Sequence, residues 1–250
     1  MNDAIQYTVI LLSIPRKHSI FPDHPQEVIP MQSIIHFITF VLDSLFPDEC
    51  IGCRKSNTLL CEKCLARIPR AEPAEHSFIH PLFTYRSPVM KEVINRLKYK
   101  NVRRLATYFG EALYEEIIHE QSDYLSSSYI DKVLLIDIPL HKKRLRERGY
   151  NQSELLVQSI LNVDQSHTFE HIPNILVRAR NTKSQARSEK RSVRIANLKN
   201  AFVCSDPSRV RGRIVVLIDD VTTTGATLLE ARRALITAKP RKVFAVTLAH

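Results

Sequence analysis

The chain has no apolar run of the roughly 20 residues that a bilayer span requires, so no membrane-crossing helix is expected. Its most apolar early stretch, Tyr7 to Ile14, has no Lys or Arg ahead of it and no small-residue cleavage site behind it. A secretory leader is therefore not expected, and the cytoplasm is the expected compartment. Cysteine is scarce, and four of the five cysteines fall into two Cys-x-x-Cys pairs. In a reducing compartment that pattern points to metal rather than to disulfides. There is no internal repeat, which removes the repeat architectures. Aromatic residues are thin where positive charge is dense, with Tyr99 and Tyr150 the only rings in or beside the basic stretches.

What is present suffices for one medium domain and a small module: 250 residues, 44% of them hydrophobic. The formal net charge is +10 and unevenly spread. Arg96 to Arg104, Lys142 to Arg148 and Arg178 to Arg194 together hold 17 Lys and Arg against Glu147 and Glu189, so the rest of the chain is about 5 units negative. Positive charge gathered into a few segments suits a polyanionic ligand, either a pyrophosphate-bearing substrate or a nucleic acid.

Residues 1–30 carry four prolines and no periodicity or cap signal, and they read as a disordered extension. Met31 opens a segment that reads as the start of a folded protein, which makes it an alternative initiator. Ser33 begins an apolar helix to about Phe46, and residues 31–47 form a unit of their own. A cysteine module follows over 48–75, and 76–250 reads as one α/β domain. Leu82 to Tyr85 is expected as a strand. Ser87 and Pro88 cap and open a helix that buries Val89, Val93, Ile94 and Leu97. A second helix from about Arg103 carries Leu105, Phe109, Leu113 and Ile117 on one stripe. Lys132 to Ile138 fits a central strand, Asn151 caps a helix from Gln152 to Leu161, and Asn174 to Val177 is a short strand. A helix is expected over Ser188 to Leu198, then strand Arg213 to Asp219, helix Ala226 to Ala238 and strand Lys242 to Leu248. Strands alternating with helices imply a parallel α/β sheet with its ligand at the strand carboxyl ends.

Cys50, Cys53, Cys61 and Cys64 supply four thiolates within 15 residues, enough to fill a tetrahedral zinc site. With no coordination position left open, that zinc is structural, at about one ion per chain. Thiol redox chemistry is the competing reading of a Cys-x-x-Cys pair. Cys204, isolated in a strand-like segment, reads as core.

The apolar run Ile214 to Ile218 delivers Asp219 and Asp220 into Val221-Thr222-Thr223-Thr224-Gly225-Ala226-Thr227. Such a loop presents backbone N–H groups and hydroxyls to a phosphate, and the helix that starts near Ala226 adds the positive end of its dipole. The two carboxylates stand where ribose hydroxyls or a magnesium ion would lie. A second constellation runs from Ile138 to Gln152, where a strand ends, basic groups crowd a turn, Gly149 permits unusual backbone angles and a capped helix begins. It is a candidate pyrophosphate loop.

Val216 to Thr227 closely resembles the phosphoribosyl-pyrophosphate (PRPP) motif of type I phosphoribosyltransferases. From about Ser33 onward the chain resembles the competence protein F (ComF/GntX) family, which joins a four-cysteine finger to a phosphoribosyltransferase-like domain. The resemblance rests on the two Cys pairs, Leu97-Lys98-Tyr99-Lys100, Arg144 to Gln152, Arg178 with Thr182, Gln185, Arg191 and Asn197, and the Asp219/Asp220 loop. It departs at Asn101, where the family commonly has Gly, and at Lys239-Pro240-Arg241, where a Gly-Ala turn usually stands. The resemblance implies an enzyme that transfers a phosphoribosyl group from PRPP and releases pyrophosphate. In it Asp219 and Asp220 hold the ribose hydroxyls, while Thr222, Thr223, Thr224, Gly225, Ala226 and Thr227 hold the 5′-phosphate. Arg148 and Gly149, with Lys98, serve the pyrophosphate side, with magnesium as the accompanying ion. It also implies a link to DNA uptake in natural transformation. The competing reading is a non-catalytic module that grips single-stranded DNA through the zinc knuckle and basic loops, in company with DNA-uptake proteins.

Overall fold

The structure is a computed structural model that describes residues 48–125, 132–178 and 200–250. The expected arm over 1–30, the helix over 33–46, the basic stretch after Arg178 and the helix over 188–198 lie outside the described residues.

The elements are α1 (Glu62–Ala66), β1 (Ile79–Phe83), α2 (Pro88–Tyr99), a 3-10 helix (Arg103–Phe109), α3 (Gly110–Leu125) and β2 (Val133–Asp137). They continue with α4 (Lys142–Arg148), α5 (Gln152–Val163), β3 (Phe169–His171), β4 (Leu176–Arg178) and β5 (Phe202–Cys204). A 3-10 turn (Pro207–Arg209), β6 (Ile214–Val221), α6 (Ala226–Ile236) and β7 (Lys242–Ala249) complete the chain.

Five strands form one sheet in the order β1-β7-β6-β2-β3, and every neighbouring pair is parallel. The predicted α/β fold class is therefore the observed one. Because helices cover both faces, the central strands are apolar throughout rather than alternating. Val133, Leu135, Val216, Ile218, Phe244 and Val246 share one cluster with Leu97, Leu113, Ile117 and Ile160. The intervening residues Leu134, Ile136, Val215, Leu217 and Ala245 join a second cluster with Leu228, Ala231 and Leu235 of α6. The antiparallel β4–β5 pair packs on that same side through Leu176 and Phe202.

Several local expectations hold. The Ser87 side chain accepts a hydrogen bond from Met90 N, Pro88 opens α2, and the Asn151 side chain caps α5 by accepting from Ser153 N. Leu105, Phe109, Leu113 and Ile117 are all fully buried, although their stripe begins as a 3-10 turn and becomes α-helical at Gly110.

Other elements differ from expectation. β1 starts three residues early and ends before Thr84; Pro81 is tolerated inside it because β1 is an edge strand, whose outer side carries, among the described residues, only the isolated bridge from Arg70 to Phe83. The basic turn is a helix: α4 has its first turn capped by His141 and its end closed by Gly149 in a left-handed conformation (φ 77°). Lys, Arg, Glu and Leu are good helix formers, and Arg146 and Arg148 in the last turn complement the dipole. β6 runs to Val221, so Asp219 and Asp220 are strand residues, with Asp219 opposite Thr247 of β7. Asn101 (φ 55°) and Lys239 (φ 58°), where the resemblance implies glycine-bearing turns, adopt left-handed backbone. Among the described residues no helix is long and apolar enough to cross a membrane.

Candidate functional site

At the carboxyl end of β6, Asp220 is 6% exposed and its Oδ1 lies 3.0 Å from Lys98 Nζ at the end of α2. Asp219 accepts two hydrogen bonds on Oδ1, each 2.9 Å, from Ser153 Oγ and from the Asp220 backbone N–H. Burial and the adjacent Asp220 charge push the Asp219 carboxyl up to about 7, against the opposing pull of Lys98 and the two donors. Among the described residues the two adjacent carboxylates have one ion-pair partner, Lys98 on Asp220, which leaves the pair short of positive charge. A hydrated magnesium ion with a phosphorylated ligand fits that deficit, and Asp219 and Asp220 are the residues that would hold it.

Beyond Asp220 the chain leaves the sheet. Thr222 N–H donates to Ala249 O at 3.0 Å, and Thr224 Oγ1 accepts from Ala226 N at 3.4 Å. Gly225 caps α6 with φ 71°, and a Cβ there would come within 2.8 Å of Ile79 Cδ1, so the tight entry into α6 requires glycine. Thr222 is buried, Thr223 exposed, and Thr224 and Thr227 half-buried. The first-turn amides of a helix have no intrahelical acceptor, so this loop ends in a set of N–H donors suited to a phosphate.

Beside it opens a cleft of about 710 Å³ lined by Lys98, Arg103, Arg144, Arg146, Arg148 and Glu147, with Tyr99, Asn101, Gly149 and Tyr150. Five cations face one carboxylate there. Arg148 donates to Gln152 Oε1 at 2.7 Å and lies 5.1 Å from the ring centre of Tyr99. Arg103 covers the Tyr150 ring at 4.5 Å, and the Tyr150 hydroxyl donates to Leu97 O, which fastens the start of α5 to the end of α2. Thus Lys98 meets Asp220 directly, while Lys98, Arg148 and Gly149 line one cleft.

Sequence reasoning singled out neither Ser153 nor Asn151 as functional. Asn151 Nδ2 donates to Asp137 Oδ2 at 2.7 Å and to Ile138 O at 3.1 Å, which sets the start of α5 and so the Ser153 hydroxyl. Its cap pattern was the legible signal; the contact to Asp219, 66 residues away, had none. Arg178 also belongs to this neighbourhood: burial and the Arg144 charge lower its pKa, and the Asp219 charge opposes them.

The four thiols form a separate cluster, with one sulfur from each within 4.8 Å of the others. The module folds back so that Glu49 bridges Ser56, and Ile51 N–H reaches Leu59 O at 3.0 Å. A Cβ on Gly52 would lie 2.7 Å from Cys64 Sγ, so close approach of that thiol depends on glycine. Burial opposes ionisation of Cys50, yet the backbone N–H groups of Cys61, Cys53 and Gly52 outweigh it and bring the thiol down to about 6. Its hydrogen bond with Cys61 is the main reason that Cys64 is pushed up to about 12. Four thiols competing for negative charge in one small space fit a tetrahedral divalent ion, and zinc would supply structural cross-linking there.

Residues 127–250 match the phosphoribosyl transferase domain family. The chain is 32% identical over 154 residues to the DNA utilization protein YhgH of Shigella flexneri, a match covering 60% of this chain and 62% of that protein. It is 32% identical over 156 residues to competence protein ComFC of Bacillus subtilis, covering 62% and 56% of the two chains. It is 37% identical over 102 residues to competence protein F of Haemophilus influenzae, covering 40% and 43%. The match thus spans under two thirds of the length of these relatives. A parallel sheet whose strand β6 carries Asp219 and Asp220, a four-cysteine cluster ahead of it and relatives of this kind converge on one assignment: residues 127–250 form a phosphoribosyl transferase domain, in a chain similar to the competence protein F and DNA utilization proteins.

Proposed function

We propose that the chain binds PRPP with magnesium and transfers its phosphoribosyl group to an acceptor. The observation that carries this reading is the juxtaposition of Asp219 and Asp220 with Lys98, at the lip of a cleft with five cations. In this reading Asp219 and Asp220 orient the ribose hydroxyls. Thr222, Thr223, Thr224, Gly225, Ala226 and Thr227 hold the 5′-phosphate by backbone N–H groups and hydroxyls. Lys98, Arg148 and the Gly149 backbone face the pyrophosphate. As the C1–O bond breaks, its electron pair leaves with pyrophosphate, positive charge builds on the ribose ring, and the acceptor forms the new bond to C1. Fixed cations in the cleft stabilise the charge that gathers on the leaving group. Magnesium, when bound, neutralises part of that same charge. Calorimetry with PRPP and magnesium is the first test, followed by turnover screened against nucleobases and ammonia. Absence of binding would remove the reading.

One feature favours a second reading, in which the same cleft grips single-stranded DNA in DNA uptake. Tyr99 is 72% exposed with the Arg148 guanidinium 5.1 Å from its ring centre, an accessible ring among cations. A relative carries the name DNA utilization protein, in keeping with that reading. Binding of a short oligonucleotide that is insensitive to salt would count against it.

A further inference from the structure

Glu116 and Glu120 stand one turn apart on α3, and His80 of β1 faces them from the sheet. His80 Nδ1 is 3.1 Å from Glu120 Oε1, and one donor atom from each of the three residues lies within 4.8 Å of the others. His119 Nδ1 approaches the same Glu120 oxygen at 3.7 Å. The His80 ring is held edge-on against Phe244, with centroids 5.8 Å apart at 89°, which directs its nitrogen toward α3. Lys242 donates to the backbone carbonyl of Glu120 at 3.1 Å and sits over the Phe244 ring at 5.1 Å. His80 and Glu120 also line a cleft of about 530 Å³, which gives an ion a route in from solvent. This corner lies at the start of β1 and β7, whereas Asp219 and Asp220 lie at the end of β6.

An imidazole and two carboxylates, brought together from a strand and a helix, are a nitrogen–oxygen donor set that suits zinc and its neighbours. We propose that His80, Glu116 and Glu120 form a second metal site for a divalent transition ion, independent of the four thiols. Three protein donors leave a coordination position toward the cleft, which Arg232 and Lys242 also line. Lys242 nearby lowers the affinity, so this ion exchanges more readily than one held by four thiolates.

Cobalt is the probe. The whole chain, with its thiols filled by zinc, is titrated with cobalt(II) and followed by visible absorption. The expected result is one further equivalent with weak ligand-field bands and no sulfur-to-cobalt charge-transfer band. His80→Ala and Glu120→Gln abolish that equivalent, and Glu116→Gln weakens it at least tenfold, while circular dichroism stays unchanged. Should one variant fail to fold, the other two, on a different element or a more peripheral donor, decide. No cobalt uptake by the zinc-filled chain, uptake with a thiolate signature, or uptake unaffected by the substitutions overturns the proposal.

Discussion

Lys98 Nζ lies 3.0 Å from Asp220 Oδ1, joining the last turn of α2 to the end of β6 across the mouth of the candidate site. Among the described residues, the lysine is the one side chain that pairs with Asp220 and also lines the basic cleft. It couples the sugar side of the proposed ligand to the pyrophosphate side.

Lys98→Met should therefore weaken PRPP binding by about 10-fold or more, because it removes a cation from the ligand and leaves Asp220 unpaired. Calorimetry on the variant checks it. Lys98→Arg, which retains the charge, should recover part of the loss.

Asp219 gives a pH dependence of known sign. Burial and the Asp220 charge raise its folded pKa to about 7, above the ordinary 3.8 of an aspartate, so it contributes stability at low pH that is lost as pH rises through about 7. Asp219→Asn should flatten the stability profile between about pH 4 and pH 8, and above pH 7 it should be the more stable protein by ~1–3 kcal/mol. Ligand affinity runs the other way: PRPP with magnesium should bind more tightly to the wild type as pH rises through about 7. Denaturant titrations and calorimetry over that range test both slopes.

Ser153→Ala removes the 2.9 Å hydrogen bond to Asp219 while leaving the Asn151 cap, which uses the backbone N–H of residue 153. PRPP affinity should fall by ~3–10-fold, equivalent to about one hydrogen bond to a charged group, with global stability nearly unchanged. A matching loss of thermal stability would assign Ser153 a merely structural part.

Gly52→Ala should lower zinc affinity of the cysteine module, since its methyl group would meet Cys64 Sγ at 2.7 Å. Competition with a chromophoric chelator measures the change, and Cys53→Ser should give a larger one.

Lys239→Gly should stabilise the chain by ~0.5–1 kcal/mol by relieving a left-handed backbone at φ 58°. The check is the midpoint of urea unfolding.

How much of this was legible depended on whether a feature is local. The strand ending in Asp219 and Asp220 announced itself because an apolar run, two acids and a Thr/Gly loop are contiguous in the chain. Ser87 and Asn151 were readable as caps for the same reason. α4 was not, because six of its seven residues are charged and Leu145 alone cannot display a period. The meetings of Ser153 with Asp219 and of Lys98 with Asp220 were hidden because strand order, not spacing, creates them. β2 sits beside β6, so α5, the second helix after β2, starts over the carboxylates.

The cysteine module is sewn into the main core. Leu59 and Leu60, just ahead of Cys61, share one apolar cluster with Leu97, the residue before Lys98, and the Tyr108 hydroxyl holds Leu59 N–H at 3.2 Å. The cysteine module thus shares its packing with α2 and with the 3-10 helix that follows it. A chelator that strips a metal from the four thiols should therefore slacken the lysine's grip on Asp220, so that metal loss and ligand affinity should change together.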